Sequence, residues 1–188
     1  IVFVSVGSII HDPVEIIVLA ALLDIIGGVY LSILNPQFSD NKEYWIPIGV
    51  SMIIGAIVGA LTLRFFPPAL FEYLLGGSII LIAIWFLVGD SEPRDDLTDD
   101  SHTVGIIDWI VGMFSGFCGG FTGMGGPPLI IYLGSKFEKR LFRAIIVPIF
   151  LMASVARFLS YGYFGMINTS SILLYVIPPL GVIAGNYI

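Results

Sequence analysis

Residues 119–128 read GGFTGMGGPP, five glycines and two prolines set inside an apolar stretch that runs from Val104 to Gly134. A regular helix has no use for such a segment. Proline removes a backbone donor and pushes the residue before it out of the helical region. The sequence therefore predicts a helix that ends near Gly123 and restarts at Pro127. Upstream, Gly112, Gly116 and Gly120 recur every four residues, which puts them on one helix face and lets a neighbouring backbone come close.

The surroundings decide what the break means. Of the 188 residues 57% are hydrophobic and 12% charged, and the mean hydropathy is +0.99; a soluble domain carries about 25% charged residues. Several apolar runs approach the roughly 20 residues that cross a bilayer as a helix. The fold class is all-α, a polytopic helical membrane protein with a Gly/Pro-broken helix. Complete spans are expected at about Pro13–Leu34, Tyr44–Leu63, Ala69–Gly89 and Ala144–Gly165, with a last one beginning near Ser171. Residues 1–10 read as the tail of a helix, and the last span reads as incomplete. The formal net charge of −6 comes mainly from Asp90–Thr103, where six acids face Arg94.

Lys136, Lys139, Arg140 and Arg143 form a basic turn, which the positive-inside rule places in the cytoplasm. If every span crosses once, Arg64 falls on that side and the acidic loop outside. This favours a single crossing for the broken span over a re-entrant hairpin, although acidic residues count for little in that rule.

Self-comparison gives an internal repeat. Gly55 and Gly59 in IPIGVSMIIGAIVG, residues 46–59, match Gly181 and Gly185 in LLYVIPPLGVIAG, residues 173–185. Upstream, VSVGS ending at Ser8 matches IIYLGS ending at Ser135 at nearly the same separation. Residues 1–89 then form a first repeat without its opening helix, 90–103 an acidic loop, and 104–188 a second repeat without its final helix. Repeats of this sort are common in secondary transporters, with the substrate between the halves.

Unwound backbone at membrane depth is costly and survives only when buried in protein or facing a watery cavity. Its free N–H groups and the positive end of the restarting helix attract an anion. Gly123, Met124, Gly125, Gly126, Leu129 and Ile130 would supply those N–H groups. A kink that only serves helix packing explains the same residues equally well. Two ionisable residues also fall within spans, where charge is a functional candidate by default. Arg157 could grip an oxyanion with its planar fork or snorkel to the surface. Asp24 could carry a coupling proton, but neutralising Arg157 is the favoured reading.

At these residues the chain resembles the TauE/SafE sulfite exporter family, also called the toluene sulfonate uptake permease family. Its halves each open with a helix of the form G-x-x-x-G-x-x-G-x-G-G followed by Pro, which Gly116, Gly120, Gly123, Gly125, Gly126 and Pro127 fit. The likeness extends to the charged turn and to the glycine helices of both halves. The first-half glycine motif is absent and the final helix is truncated. The resemblance implies a multi-pass protein of the cytoplasmic membrane that moves sulfite, organosulfonates or other small sulfur-containing or organic anions.

The other residues add little. No H-E-x-x-H, no Ser/His pair and no second carboxylate near Asp24 supports an intramembrane enzyme. Neither a cofactor nor a metal site is expected, and His11 and His102 receive no role. Cys118, between glycines, reads as packing. Tyr161, Tyr163 and the tryptophans read mostly as an aromatic belt near span ends. The expected partners are a small anionic substrate and the lipid bilayer, with no nucleic acid, and homo-oligomerisation is left open. The competing function is a non-transporting membrane assembly or sensor module.

Overall fold

The computed structural model describes residues 12–34, 42–65 and 104–167, together with Tyr73, Gly77 and Ile80. Apart from those three positions, the span at Ala69–Gly89, the acidic loop, the last span, residues 1–10 and both histidines lie outside the described residues, as does the second copy of the glycine pair. The described chain forms five helices: α1 (Pro13–Leu34), α2 (Lys42–Phe65), α3 (Ile106–Thr122), α4 (Gly126–Lys136) and α5 (Lys139–Tyr163). Three of them, α1, α2 and α5, are long and apolar enough to cross a membrane. The protein is an all-α membrane protein.

Local chemistry explains the helix ends. Pro13 starts α1, where its missing N–H costs nothing, and the Asp12 carboxylate accepts a bond from Val14 N–H at 2.8 Å. Glycine at position 123 takes φ 75°, a left-handed conformation that ends α3, and its N–H returns to Gly119 O at 3.0 Å. Pro127 and Pro128 then open α4. The predicted break is therefore present, between Thr122 and Gly126.

Beyond the break the chain departs from the single crossing favoured by charge counting: α4 turns back along α3 as an antiparallel hairpin. Near the break, Ser115 Oγ donates to Gly125 O. At the far end, Tyr132 OH donates to Asp108 Oδ1 at 2.9 Å and Lys136 Nζ lies 2.7 Å from the same carboxylate. The chain thus enters and leaves this hairpin at one end of the bundle. Helix α2 runs parallel to α3, with Ile48 and Ser51 beside Gly112, Met52 beside Gly116 and Ala56 beside Gly120. Its first turn meets the end of α4, where the Tyr44 and Phe137 rings sit 5.8 Å apart. Arg64, at the other end of α2, is consequently at the opposite end from the basic turn, contrary to the side it was expected to share. Charge counting errs here because it weighs a single arginine and assumes one crossing per span, which a hairpin breaks.

The α2–α3 contact explains the glycine periodicity. A Cβ at Gly55, Gly59, Gly116 or Gly120 would collide with backbone of the other helix. In a bilayer, where lipid removes most of the hydrophobic incentive for association, such close approach is a main source of helix–helix attraction. Helix α1 packs antiparallel to α5, with Gly28 beside Leu151 and Asp24 on Arg157. Two apolar clusters fill the bundle. One joins Ile17, Ala21, Leu63, Phe121 and Tyr161 at the end away from the basic turn; the other joins Ile48, Leu129, Leu133, Ile145 and Ile149 toward it.

The base of the hairpin gives a testable stability claim. Asp108 is 2% exposed and also accepts Gly105 N–H at 2.7 Å. Removing the cation from a buried carboxylate leaves an uncompensated charge. Lys136→Met should destabilise the protein by about 2 kcal/mol, a figure reduced for the partial exposure of the lysine. Adding Asp108→Asn should recover part of the loss, read as thermal unfolding in detergent. An unchanged melting temperature in Lys136→Met would show that the clasp holds nothing.

Candidate functional site

The end of α3 exposes carbonyls that have no partner within the helix. Helix α5 supplies them: Arg157 Nη1 donates to Gly119 O at 3.1 Å and Tyr161 OH donates to Gly120 O at 2.8 Å. Within the turn, Thr122 Oγ1 donates to Cys118 O at 2.8 Å and accepts Met124 N–H at 3.3 Å. Gly123 N–H is spent on Gly119 O. No described residue accepts a hydrogen bond from the N–H of Gly125 or Gly126. The break thus has the carbonyls of Gly119, Gly120 and Gly125 capped by side chains, while two amide donors have no partner among the described residues.

The two residues that carry them line a cavity of about 450 Å³. Gly123, Met124, Gly125, Gly126 and Ile130 line it from the break and α4, Arg157 and Ser154 from α5, and Asp24 from α1. Seven of the eight residues singled out in the sequence therefore surround one space. Leu129 is the exception: it is fully buried in the cluster with Leu133 and Ile149 and does not reach the cavity. Of the six amides considered from the sequence, those of Gly123 and Met124 are already bonded inside the turn.

Arg157 does not snorkel. It is 5% exposed, and its Nη2 donates to Asp24 Oδ2 at 2.6 Å and to Ser154 Oγ at 3.0 Å. Its Nε is buried with no hydrogen-bond partner among the described residues. The pairing favoured from sequence is present, yet the pair is lopsided: the Asp24 side chain is 52% exposed and the Arg157 side chain 7%. Asp24 stands near the middle of 22-residue α1.

Sequence reasoning missed Tyr161, which is fully buried on Gly120 O rather than in an aromatic belt. The available signal was spacing: Ser154, Arg157 and Tyr161 fall at i, i+3 and i+7 on one helical face. Ser115 and Thr122, which satisfy the break, gave no such signal. Cys118 is half-buried and does not line the cavity.

Glycine is required at this site to different degrees. A Cβ on Gly125 would lie 2.8 Å from Ser115 O and 2.9 Å from Gly119 Cα, so Gly125 serves the hairpin's own packing. A Cβ on Gly126 would meet only Ile130 Cδ1 at 3.4 Å and Phe150 Cζ at 3.7 Å. A Cβ on Gly126 would thus make only ordinary contacts, both with side chains that line the cavity.

Compared with known proteins, the chain matches the model of one family, described as sulfite exporter TauE/SafE, over residues 1–188. No curated protein and no solved structure matched it in the same comparisons.

Proposed function

The chain belongs to the sulfite exporter TauE/SafE family, and we propose that it is a transporter whose cavity at the α3–α4 break receives a small anion: sulfite, an organosulfonate or a related sulfur-containing or organic anion. One observation carries the proposal. Gly125 and Gly126, whose amides have no partner among the described residues, line the same cavity as Arg157.

The chemistry suits an oxyanion. Helix α4 begins at the cavity, and the partial positive charge of a helix N-terminus favours a negative guest. Glycine leaves the amides approachable, and the two prolines after them impose the restart without adding donors. Arg157 contributes a planar, permanently charged fork suited to sulfonate, sulfite or carboxylate oxygens. Gly123 and Met124 shape the turn. Leu129 and Ile130 hold α4 in place, Ile130 from the cavity wall.

The membrane proposed is the cytoplasmic membrane. Lys42, Lys136, Lys139, Arg140 and Arg143 gather at one end of the bundle and Arg64 stands at the other, so the positive-inside rule makes the hairpin's open end cytoplasmic. The break would then be reached from the cytoplasm up α3 and α4, and alternating access would expose it to each side in turn.

Flux into proteoliposomes tests this reading. Sulfite, methanesulfonate, ethanesulfonate, benzenesulfonate and acetate are supplied in turn to the complete gene product. Saturable uptake of at least one, inhibited by another, is the expected result. A non-transporting assembly or sensor module would pass none of them.

A further inference from the structure

Asp24 and Arg157 are the only ionisable residues among the described residues that line the cavity. Tyr161, one turn beyond Arg157, is turned to Gly120 O. From the other packed elements, α2 contributes Met52, while the break and α4 contribute glycines, Met124, Pro127 and Ile130, none of which titrates. With both residues charged, the empty site is neutral overall. An anion arriving alone would leave one uncompensated negative charge at membrane depth, a costly state in a medium of low dielectric.

The geometry shows where the compensation can come from. Arg157 Nη2 is shared between Asp24 and the neutral hydroxyl of Ser154, and Nη1 is held by the carbonyl of Gly119. The carboxylate side of the pair is open: Asp24 is half-exposed and borders the cavity, whereas Arg157 is anchored and buried. Asp24 is therefore the displaceable partner.

We infer that Asp24 is the proton-coupling residue of this site, each monovalent anion that engages Arg157 being accompanied by one proton on the Asp24 carboxylate. The inference rests on the transport reading above. The step balances simply. A proton delivered by hydronium, which leaves as water, bonds to a carboxylate oxygen of Asp24, and its ion pair with Arg157 lapses. The guanidinium, keeping its proton, redirects that N–H hydrogen bond to a substrate oxygen. Loaded and empty sites carry the same net charge. Release reverses the exchange, with Asp24 giving up the proton and returning to Arg157.

Sulfonates are the suitable probes because they remain monoanionic across the pH range used, so proton movement cannot come from the substrate. In proteoliposomes without a membrane potential, a gradient of one pH unit, acid outside, should drive about a tenfold accumulation of the transported sulfonate. A pH-sensitive dye inside should report about one proton per anion. Asp24→Asn should exchange labelled for unlabelled sulfonate but lose accumulation and dye response. Sulfonate flux in the wild type that ignores the proton gradient, or follows a sodium gradient instead, overturns the inference and leaves the transport reading standing. Retained proton-driven accumulation in Asp24→Asn also overturns it. Absence of flux for every anion in the wider panel removes the transport reading itself. A wild-type count of no proton per anion overturns the inference even if the asparagine variant does not fold. Asp24→Glu, which keeps the carboxylate, should then retain proton-driven accumulation where the inference holds.

Discussion

Gly120→Leu should yield no correctly folded protein. A Cβ at this position would strike Ala56 O and come within 2.9 Å of Ala60 N, so the obstacle is backbone on an adjacent helix and cannot rotate away. Overpacking a core typically costs about 1–3 kcal/mol, occasionally more. Here leucine must also separate two helices whose attraction depends on close approach, so the upper end of that range or beyond is expected. Size-exclusion chromatography in mild detergent reads the outcome: aggregate in place of a monodisperse peak. Gly134→Ala is the control, because its Cβ would find only Phe142 Cε2 at 3.9 Å. If Gly120→Leu ran as the wild type does, the parallel α2–α3 seam would be wrong.

The second large effect is on transport. Gly126→Leu should reduce anion flux by roughly ten- to hundredfold, the equivalent of about 1–3 kcal/mol of lost binding, while leaving the chromatographic profile intact. The added side chain has room at its base and extends toward the cavity. Position 126 precedes a proline, so any Cβ there adds some backbone strain. Gly126→Ala carries that strain without the bulk, and its flux should fall between wild type and leucine. Gly125 would be the weaker choice: a side chain there disturbs Ser115 and Gly119 first, so a loss of flux would not separate a blocked site from a deformed hairpin. Wild-type flux in Gly126→Leu would mean that the substrate does not pass this point.

Much of the architecture was legible because membrane spans are written in composition. Helix α1 occupies the expected residues, Pro13–Leu34, and α2 extends the expected span by two residues at each end. The break was legible because glycine and proline punctuate helices by simple sterics. Its direction was not, since turning back and continuing onward need the same residues. A clue was available in length: 17 and 11 helical residues give about 26 and 17 Å, together more than one crossing of about 30 Å requires.

The site shows the same division. Arg157 and Asp24 stood out because charge inside a span is expensive, and their pairing followed from that cost. The groups that cap the break, Tyr161 and Ser115, are chosen by three-dimensional proximity across separate helices; Tyr161 is marked only by sharing a helical face with Arg157, and nothing in the neighbourhood of Ser115 marks it. Leu129 shows the limit of reading position alone: it stands beside the prolines, where the sequence offers its amide as a donor, while its side chain belongs to the core.

The most direct test is to locate the anion. A crystal of the full-length protein soaked with 2-bromoethanesulfonate would carry an anomalous scatterer on the substrate itself. The prediction is a bromine peak inside the cavity, with sulfonate oxygens about 3 Å from the amides of Gly125 and Gly126 and in reach of Arg157. A bound sulfonate elsewhere in the bundle, with those amides facing hydrocarbon or closed by protein, would contradict it.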